Sequence, residues 1–277
     1  MPYMRRTIKS GRLLEIETYF ATRDGKRVPR GQNVGDTSEA VADVNRRNAE
    51  KRLNRLICAN FSREGGDLLL LLTHKRELTE AQAAREERNV LLRLQRALAK
   101  HGKELRYIAV TEKQGRWHHH IILNGGLTLE ELTAVWGDRG LLRVTPLENT
   151  YTYDELARYL TREHKPPKGK PMEDSLKAPR RKWARRWHAS RNLQQPIETK
   201  RIVKRPPSGS QPKPPKGYRL LPNWYVGCDG MGNLMTYYSC VEETAYSRRN
   251  GDGGGAPAGA GQSPAPYRPS KKKPKGG

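Results

Sequence analysis

Three consecutive histidines, His118-His119-His120, are the residues of this sequence best suited to metal chemistry. The chain has only seven histidines among its 277 residues, so a group of three is unusual. The surrounding segment, Trp117 to Asn124, reads as a β-strand. Successive side chains of a strand point to opposite faces, so His118 and His120 share one face and His119 lies on the other. Two neutral imidazoles on one face supply half of a divalent metal site.

A catalytic metal usually needs a third protein ligand, and Glu112 is the candidate. It lies at the end of the preceding predicted strand, six residues before His118. If the hairpin places Glu112 opposite His118, all three side chains share a face. A register shifted by one residue places Glu112 on the other face. The sequence leaves both registers open, together with the alternative that the histidine strand binds no metal.

Tyr159 is the candidate nucleophile, on a helix predicted to begin near Thr152. A tyrosine can attack a phosphodiester and form a covalent phosphotyrosine. Its phenol is a weak nucleophile at its ordinary pKa near 10, so it needs a nearby cation. Arg162, three residues later on the same helix face, or Lys165 can supply that charge beside a metal.

Other roles for the tyrosines of this region stay open. Tyr151 and Tyr153 are competing nucleophiles, although Tyr153 is poorly aligned with Tyr159 on the helix. Tyr159 could also be a packing residue of that helix.

The elements that must position these residues form an alternating series. Leu68 to Leu72 reads as a buried central strand. Capping boxes predict three helix starts, at Thr79 with Gln82, Thr128 with Glu131, and Thr152 with Glu155. The resulting order from about residue 60 to 164 is strand, helix, strand, strand, helix, strand, helix. This order favours an α+β domain built on an antiparallel sheet flanked by helices.

The charge distribution divides the chain and indicates a polyanionic partner. The formal net charge is +24, and residues 165–220 contribute 17 basic against 3 acidic residues. Nucleic acid is the commonest partner for such a chain. The predicted pieces are an N-terminal hairpin and helix (1–59), the domain with the histidines and Tyr159 (60–165), a basic DNA-binding linker (166–220), a small hairpin unit (221–249) and a disordered tail (250–277).

One part of the basic linker combines cations with aromatic side chains. Residues 179–192 predict a short basic helix with two tryptophans four positions apart. Lysine and arginine neutralise phosphates, and tryptophan stacks on unpaired bases. The candidate DNA-binding residues are Arg180, Arg181, Lys182, Trp183, Arg185, Arg186 and Trp187. The alternative is a solvated linker with no ligand.

Compartment and membrane association are also constrained by composition. The three cysteines form no CxxC pair, which fits a reducing compartment. The first residues lack the apolar run of a signal peptide, and no apolar run is long enough to cross a bilayer. We therefore expect a cytoplasmic location and no membrane partner.

These motifs together resemble those of the HUH endonucleases, in particular the rolling-circle replication initiators of phages and plasmids. The segment from Tyr107 to Gly126 is similar to their second motif, and the Leu-rich strand ending at Thr73-His74 to their first. The segment from Ala157 to Arg162 resembles their third. The resemblance covers roughly residues 50–165. Two positions depart from the pattern: His119 replaces a hydrophobic residue, and the third-motif lysine is represented by Arg162 or Lys165.

The resemblance implies a fold, an activity and partners. The fold would be an RRM-like palm, and Mg²⁺ or Mn²⁺ would be held by His118, His120 and Glu112. The enzyme would nick single-stranded or hairpin origin DNA, keep the 5′ phosphate on Tyr159, leave a 3′ hydroxyl for a host polymerase and later religate by strand transfer. The sequence lacks a GxxxxGK[ST] motif, so a host helicase would unwind the DNA.

Several alternatives are not separated by the sequence. A relaxase or a transposase would share the same chemistry. A metal-dependent hydrolase without a covalent step and a non-enzymatic nucleic-acid-binding protein also remain open. The oligomeric state is not indicated.

Overall fold

The computed structural model describes residues 3–21, 39–161, 187–229 and 231–243, which contain eleven strands, four α-helices and a short 3-10 helix. In chain order the elements are β1 (Tyr3–Ser10), β2 (Leu13–Phe20), α1 (Glu39–Asn60), β3 (Leu68–His74), α2 (Glu80–Lys100), β4 (Tyr107–Gln114), β5 (Arg116–Leu123), α3 (Leu129–Trp136), the 3-10 helix (Gly137–Arg139), β6 (Gly140–Pro146), α4 (Asp154–Thr161), β7 (His188–Ala189), β8 (Ile197–Val203), β9 (Tyr218–Leu220), β10 (Tyr225–Cys228) and β11 (Leu234–Glu242). The predicted α+β class, built on an antiparallel sheet flanked by helices, is confirmed, and the structure contains two such sheets rather than one.

The strands form two antiparallel sheets. The first, which we call the histidine sheet, has the order β6-β3-β5-β4-β7. The second, the terminal sheet, has the order β10-β11-β2-β1-β8, with β9 pairing with β11. The terminal sheet therefore joins the predicted N-terminal piece to the predicted unit at 221–249.

The histidine sheet is covered on both faces by apolar helix surfaces. On one face, α1 and α4 pack through Leu53, Ile57 and Leu160 against Ile108 and Ile122. On the other face, residues of α2 and α3 form a separate apolar cluster with Leu70 and Leu72 of β3. These two leucines are buried, whereas the other leucines of the predicted buried strand are only partly buried.

Local sequence signals account for the starts of two helices. The capping boxes of Thr79 with Gln82 and Thr128 with Glu131 are both present, at the first turns of α2 and α3. The predicted capping box of Thr152 with Glu155 is not seen among the hydrogen bonds of the described residues. The Thr152 hydroxyl instead accepts from the backbone N–H of Asp154 and donates to its carboxylate.

Helix α1 is attached to the terminal sheet by a largely buried ion pair. Arg55 Nε donates to Glu15 Oε2 at 2.5 Å, and its second guanidinium nitrogen donates to Glu15 Oε1 at 3.0 Å. The hydroxyl of Tyr237 donates to the same carboxylate at 2.9 Å. Glu15 on β2 thus holds one residue of the helix and one of β11.

None of the described helices has the length and apolar character that crossing a membrane requires.

Replacing Glu15 with alanine should lower the free energy of unfolding by about 3 kcal/mol, because Arg55 then keeps a largely buried charge without its carboxylate. The matched control is Glu17→Ala, two residues along β2, where the pair with Arg6 spans 3.4 Å and is more exposed. Its loss should be under about 1 kcal/mol. Urea unfolding measures both values, and equal losses would contradict the importance of the Glu15–Arg55 pair.

Candidate active site

The register of the β4–β5 hairpin places Glu112 on the face of the two candidate ligand histidines. Glu112 and His118 are direct cross-strand partners, and His120 lies two residues further along β5. The register that brings the three side chains to one face is therefore the one that forms. Glu112 Oε1 lies 3.0 Å from His120 Nε2, and both side chains are buried.

His118 is attached to the neighbouring strand β3. Its Nδ1 lies 2.9 Å from the hydroxyl of Thr73, its cross-strand partner on β3. Strand β5 is therefore linked through side chains to both neighbours on this face, to β3 by His118 and to β4 by His120. These contacts orient the two imidazole rings.

Tyr159 reaches the same face from α4. Ala157, Leu160 and Thr161 of this helix are buried, and Leu160 packs in the apolar cluster shared with α1, so the helix is anchored beside β5. The Tyr159 ring meets the His120 ring edge-on, with centroids 5.3 Å apart. The Tyr159 residue is 36% exposed, so this tyrosine is also open to solvent.

The two competing tyrosines have different surroundings. The hydroxyl of Tyr153 donates to the carbonyl of Glu148 at 3.2 Å, and burial raises the pKa of Tyr153 to about 12. The ring of Tyr151 lies under the guanidinium of Arg219, 4.8 Å from its centroid. Of the three tyrosines, Tyr159 is the one with a described ring contact to the histidine strand.

His119 faces the opposite side of the sheet and is fully buried. Its Nε2 lies 2.8 Å from His74 Nε2, and its Nδ1 lies 2.6 Å from the hydroxyl of Thr111. Burial, followed by the nearby imidazoles of His74, His118 and His120, lowers the pKa of His119 to about 3. The sequence identifies the face of His119 but not these partners.

Most of the predicted basic residues lie outside the described part of the chain. Arg162 and Lys165 are among them, as are the candidate DNA-binding residues Arg180, Arg181, Lys182, Trp183, Arg185 and Arg186. Trp187 is described and packs in part against the apolar cluster of α1 and α4. The helix predicted over 179–192 is wrong at its C-terminal end, because His188 and Ala189 form β7 by pairing with β4.

The donor set on the Tyr159 face suits the divalent metal that the resemblance implies. Two imidazoles and one carboxylate are common ligands of such ions. The His120 imidazole and the Glu112 carboxylate are 3.0 Å apart on this face, so the two side chains are close enough that both would contact one bound ion. Among the described residues, however, no three His, Cys, Asp or Glu side chains already enclose a metal position.

Residues 67–164 match the family model described as replication-associated protein ORF2/G2P. This range contains Glu112, His118, His120 and Tyr159. The match supports a role in replication. No curated protein and no solved structure matches the chain.

The pKa of His119 predicts acid sensitivity of the metal-free protein. An unfolded histidine takes up a proton near pH 6.5, whereas the folded His119 does so only near pH 3, so stability falls as the pH drops between these values. Between pH 7.5 and 5 this residue should account for a loss of about 2 kcal/mol. Urea unfolding of His119→Gln should lack that part of the pH dependence. The same pH dependence in both proteins would contradict the lowered pKa.

Proposed function

We propose that residues 60–165 form a metal-dependent, site-specific DNA endonuclease and strand transferase that initiates rolling-circle replication. The observation that carries the proposal is the contact of Tyr159 with His120, which is itself hydrogen-bonded to Glu112. A solvent-accessible tyrosine thus lies directly beside imidazole and carboxylate side chains of the kinds that bind divalent metals. The match of residues 67–164 to the replication-associated protein family supports the replication part of this proposal.

The proposed first step is transesterification. The phenol oxygen of Tyr159 attacks the phosphorus of one phosphodiester, and the bond from phosphorus to the 3′ oxygen breaks as the new bond forms. The phenol loses its proton, and the departing 3′ oxygen gains one. The 5′ phosphate stays on Tyr159, and the free 3′ hydroxyl serves as a primer for a host polymerase.

The second step reverses the first with a different DNA end. A 3′ hydroxyl attacks the phosphotyrosine, the phosphodiester forms again, and the tyrosine oxygen recovers a proton. Because the phosphotyrosine retains the energy of the broken bond, religation requires no nucleotide cofactor. A host helicase would supply the single strand.

The protein residues act by binding and orientation. His118, His120 and Glu112 would hold Mg²⁺ or Mn²⁺, and Thr73 orients His118 through its Nδ1. When bound, the metal would neutralise charge on the phosphate oxygens. Arg162 or Lys165 would place a further positive charge near the attacked phosphate, since both follow Tyr159 within six residues.

The nucleophile can be tested with single-stranded DNA from the origin region of the same replicon. With Mn²⁺, the wild-type protein should form a covalent adduct that survives a denaturing gel. Tyr159→Phe should reduce the adduct at least about 100-fold, because the attacking oxygen is absent. Tyr153→Phe is the matched control and should retain it, since the Tyr153 hydroxyl is bound to a carbonyl within the fold.

The other outcomes distinguish the alternatives. If the DNA is cleaved without forming an adduct, and the cleavage persists in Tyr159→Phe, the protein is a metal-dependent hydrolase. DNA binding without cleavage in every protein would indicate a non-enzymatic nucleic-acid-binding protein. A relaxase or transposase would form the same adduct but would select DNA from a transfer origin or an element end.

The metal site can be tested without DNA. Glu112→Gln should weaken Mn²⁺ binding at least about tenfold, because the substitution removes a charged oxygen ligand. Free Mn²⁺ is counted by its electron paramagnetic resonance signal during titration. Glu130→Gln, an exposed position on α3, removes the same charge and serves as the control. Equal affinities for the two variants would remove Glu112 from the proposed site.

A further inference from the structure

Five polar side chains form a continuous series of hydrogen bonds on the face of the histidine sheet opposite Tyr159. We call this series the His119 network. It links β3, β5, β4, α2 and β7, and its members in order are His74, His119, Thr111, Glu87 and His188. Three of them, His74, His119 and Glu87, are buried beside the apolar cluster of α2 and α3.

The Glu87 carboxylate, between Thr111 and His188, sets the direction of every bond in the network. A carboxylate only accepts hydrogen bonds, so the Thr111 hydroxyl and the Nδ1–H of His188 both donate to Glu87, the latter at 2.8 Å. With its proton used, Thr111 accepts from His119 Nδ1–H. The remaining nitrogen of His119, Nε2, therefore accepts from His74 Nε2–H. The network assigns one tautomer to each of these two buried histidines.

The network residues alternate with the candidate site residues on all three central strands. On β3, Thr73 contacts His118 and the next residue, His74, belongs to the network. On β4, Thr111 precedes Glu112. On β5, His119 lies between His118 and His120. Each strand thus presents one set to the Tyr159 face and the other set to the α2 face.

We propose that the His119 network is the positioning element of the metal site. Its hydrogen bonds run across β3, β5 and β4, so they restrain the rotation of each strand about its axis. The same rotation sets where Glu112, His118 and His120 point. Apolar side chains at these positions would pack with little directional preference, whereas hydrogen bonds fix both distance and angle.

The proposal also explains how a histidine occupies position 119. A buried imidazole needs partners for both ring nitrogens, and His74 and Thr111 supply them. Through Glu87 the network extends to His188, the first residue of β7, which directly follows the last candidate DNA-binding residue, Trp187. Strand β5 is therefore linked to the edge strand β7.

The positioning role rests on the proposed function and is tested first by Mn²⁺ titration of the full chain. Thr111→Val keeps the shape of the side chain but removes the hydroxyl, and it should weaken Mn²⁺ binding about tenfold. Thr111→Ser restores the hydroxyl and should bind within about twofold of wild type. Wild-type affinity in Thr111→Val, or an equal loss in both variants, would overturn the role.

A second pair of variants keeps the test decisive if Thr111→Val does not fold. His188→Ala removes the accessible end of the network and should weaken Mn²⁺ binding about threefold. His101→Ala removes a comparable His–Glu pair, with Glu131 at 2.6 Å, outside the network and should leave Mn²⁺ binding unchanged. Equal affinities in these two variants would overturn the proposal.

Nitrogen-15 spectra of the imidazoles provide a readout that does not depend on metal. At neutral pH, His119 should carry its proton on Nδ1 and His74 on Nε2, and the opposite tautomers would overturn the network. If the wild-type protein shows these tautomers but binds no Mn²⁺, the proposed metal function fails and its positioning role fails with it. If the wild type binds Mn²⁺ and only the variant results disagree, the positioning role alone is wrong.

Discussion

The one-residue connection between β4 and β5 constrains the whole candidate site. Gln114 and Arg116 are cross-strand partners, so Gly115 alone makes the turn, at a φ of 70° that favours glycine. With the turn fixed, every later pair in the hairpin is fixed as well. A slip of one residue would turn Glu112 to the α2 face and bring Thr111 toward His118 and His120. The proposed metal ligands and the hydrogen bonds on the opposite face therefore depend on the same register.

Much of the domain could be predicted from the sequence because its signals are local. The capping residues of α2 and α3, the leucine run of β3 and the alternation along β5 each act within a few positions of the chain. The helix predicted to begin near Thr152 also forms and carries Tyr159, with its Leu160 buried. The face shared by His118 and His120 follows from the pleat of a strand alone.

The remaining features depend on contacts between distant residues. The sequence did not determine the register of β4 against β5, so Glu112 could lie on either face of the sheet. The paired strands of the folded hairpin show which face it occupies. The predicted helix at 179–192 gives way to β7 at His188, because pairing with the edge of β4 overrides local helix preference. One local signal did exist for the His119 network. Glu87 occupies a buried position among the apolar residues of α2, and a carboxylate placed there needs hydrogen-bonding partners.

The strand order of the terminal sheet has a consequence for folding during synthesis. Its β1–β2 hairpin is synthesised well before its neighbours β8 and β11, which leave the ribosome roughly two hundred residues later. During translation the histidine sheet can acquire β3 to β6 while both edges of that hairpin still lack their strands. Such open edges recruit other chains, so the nascent polypeptide passes through a stage that is prone to aggregation. Closing the terminal sheet is therefore a slow, late step of high contact order.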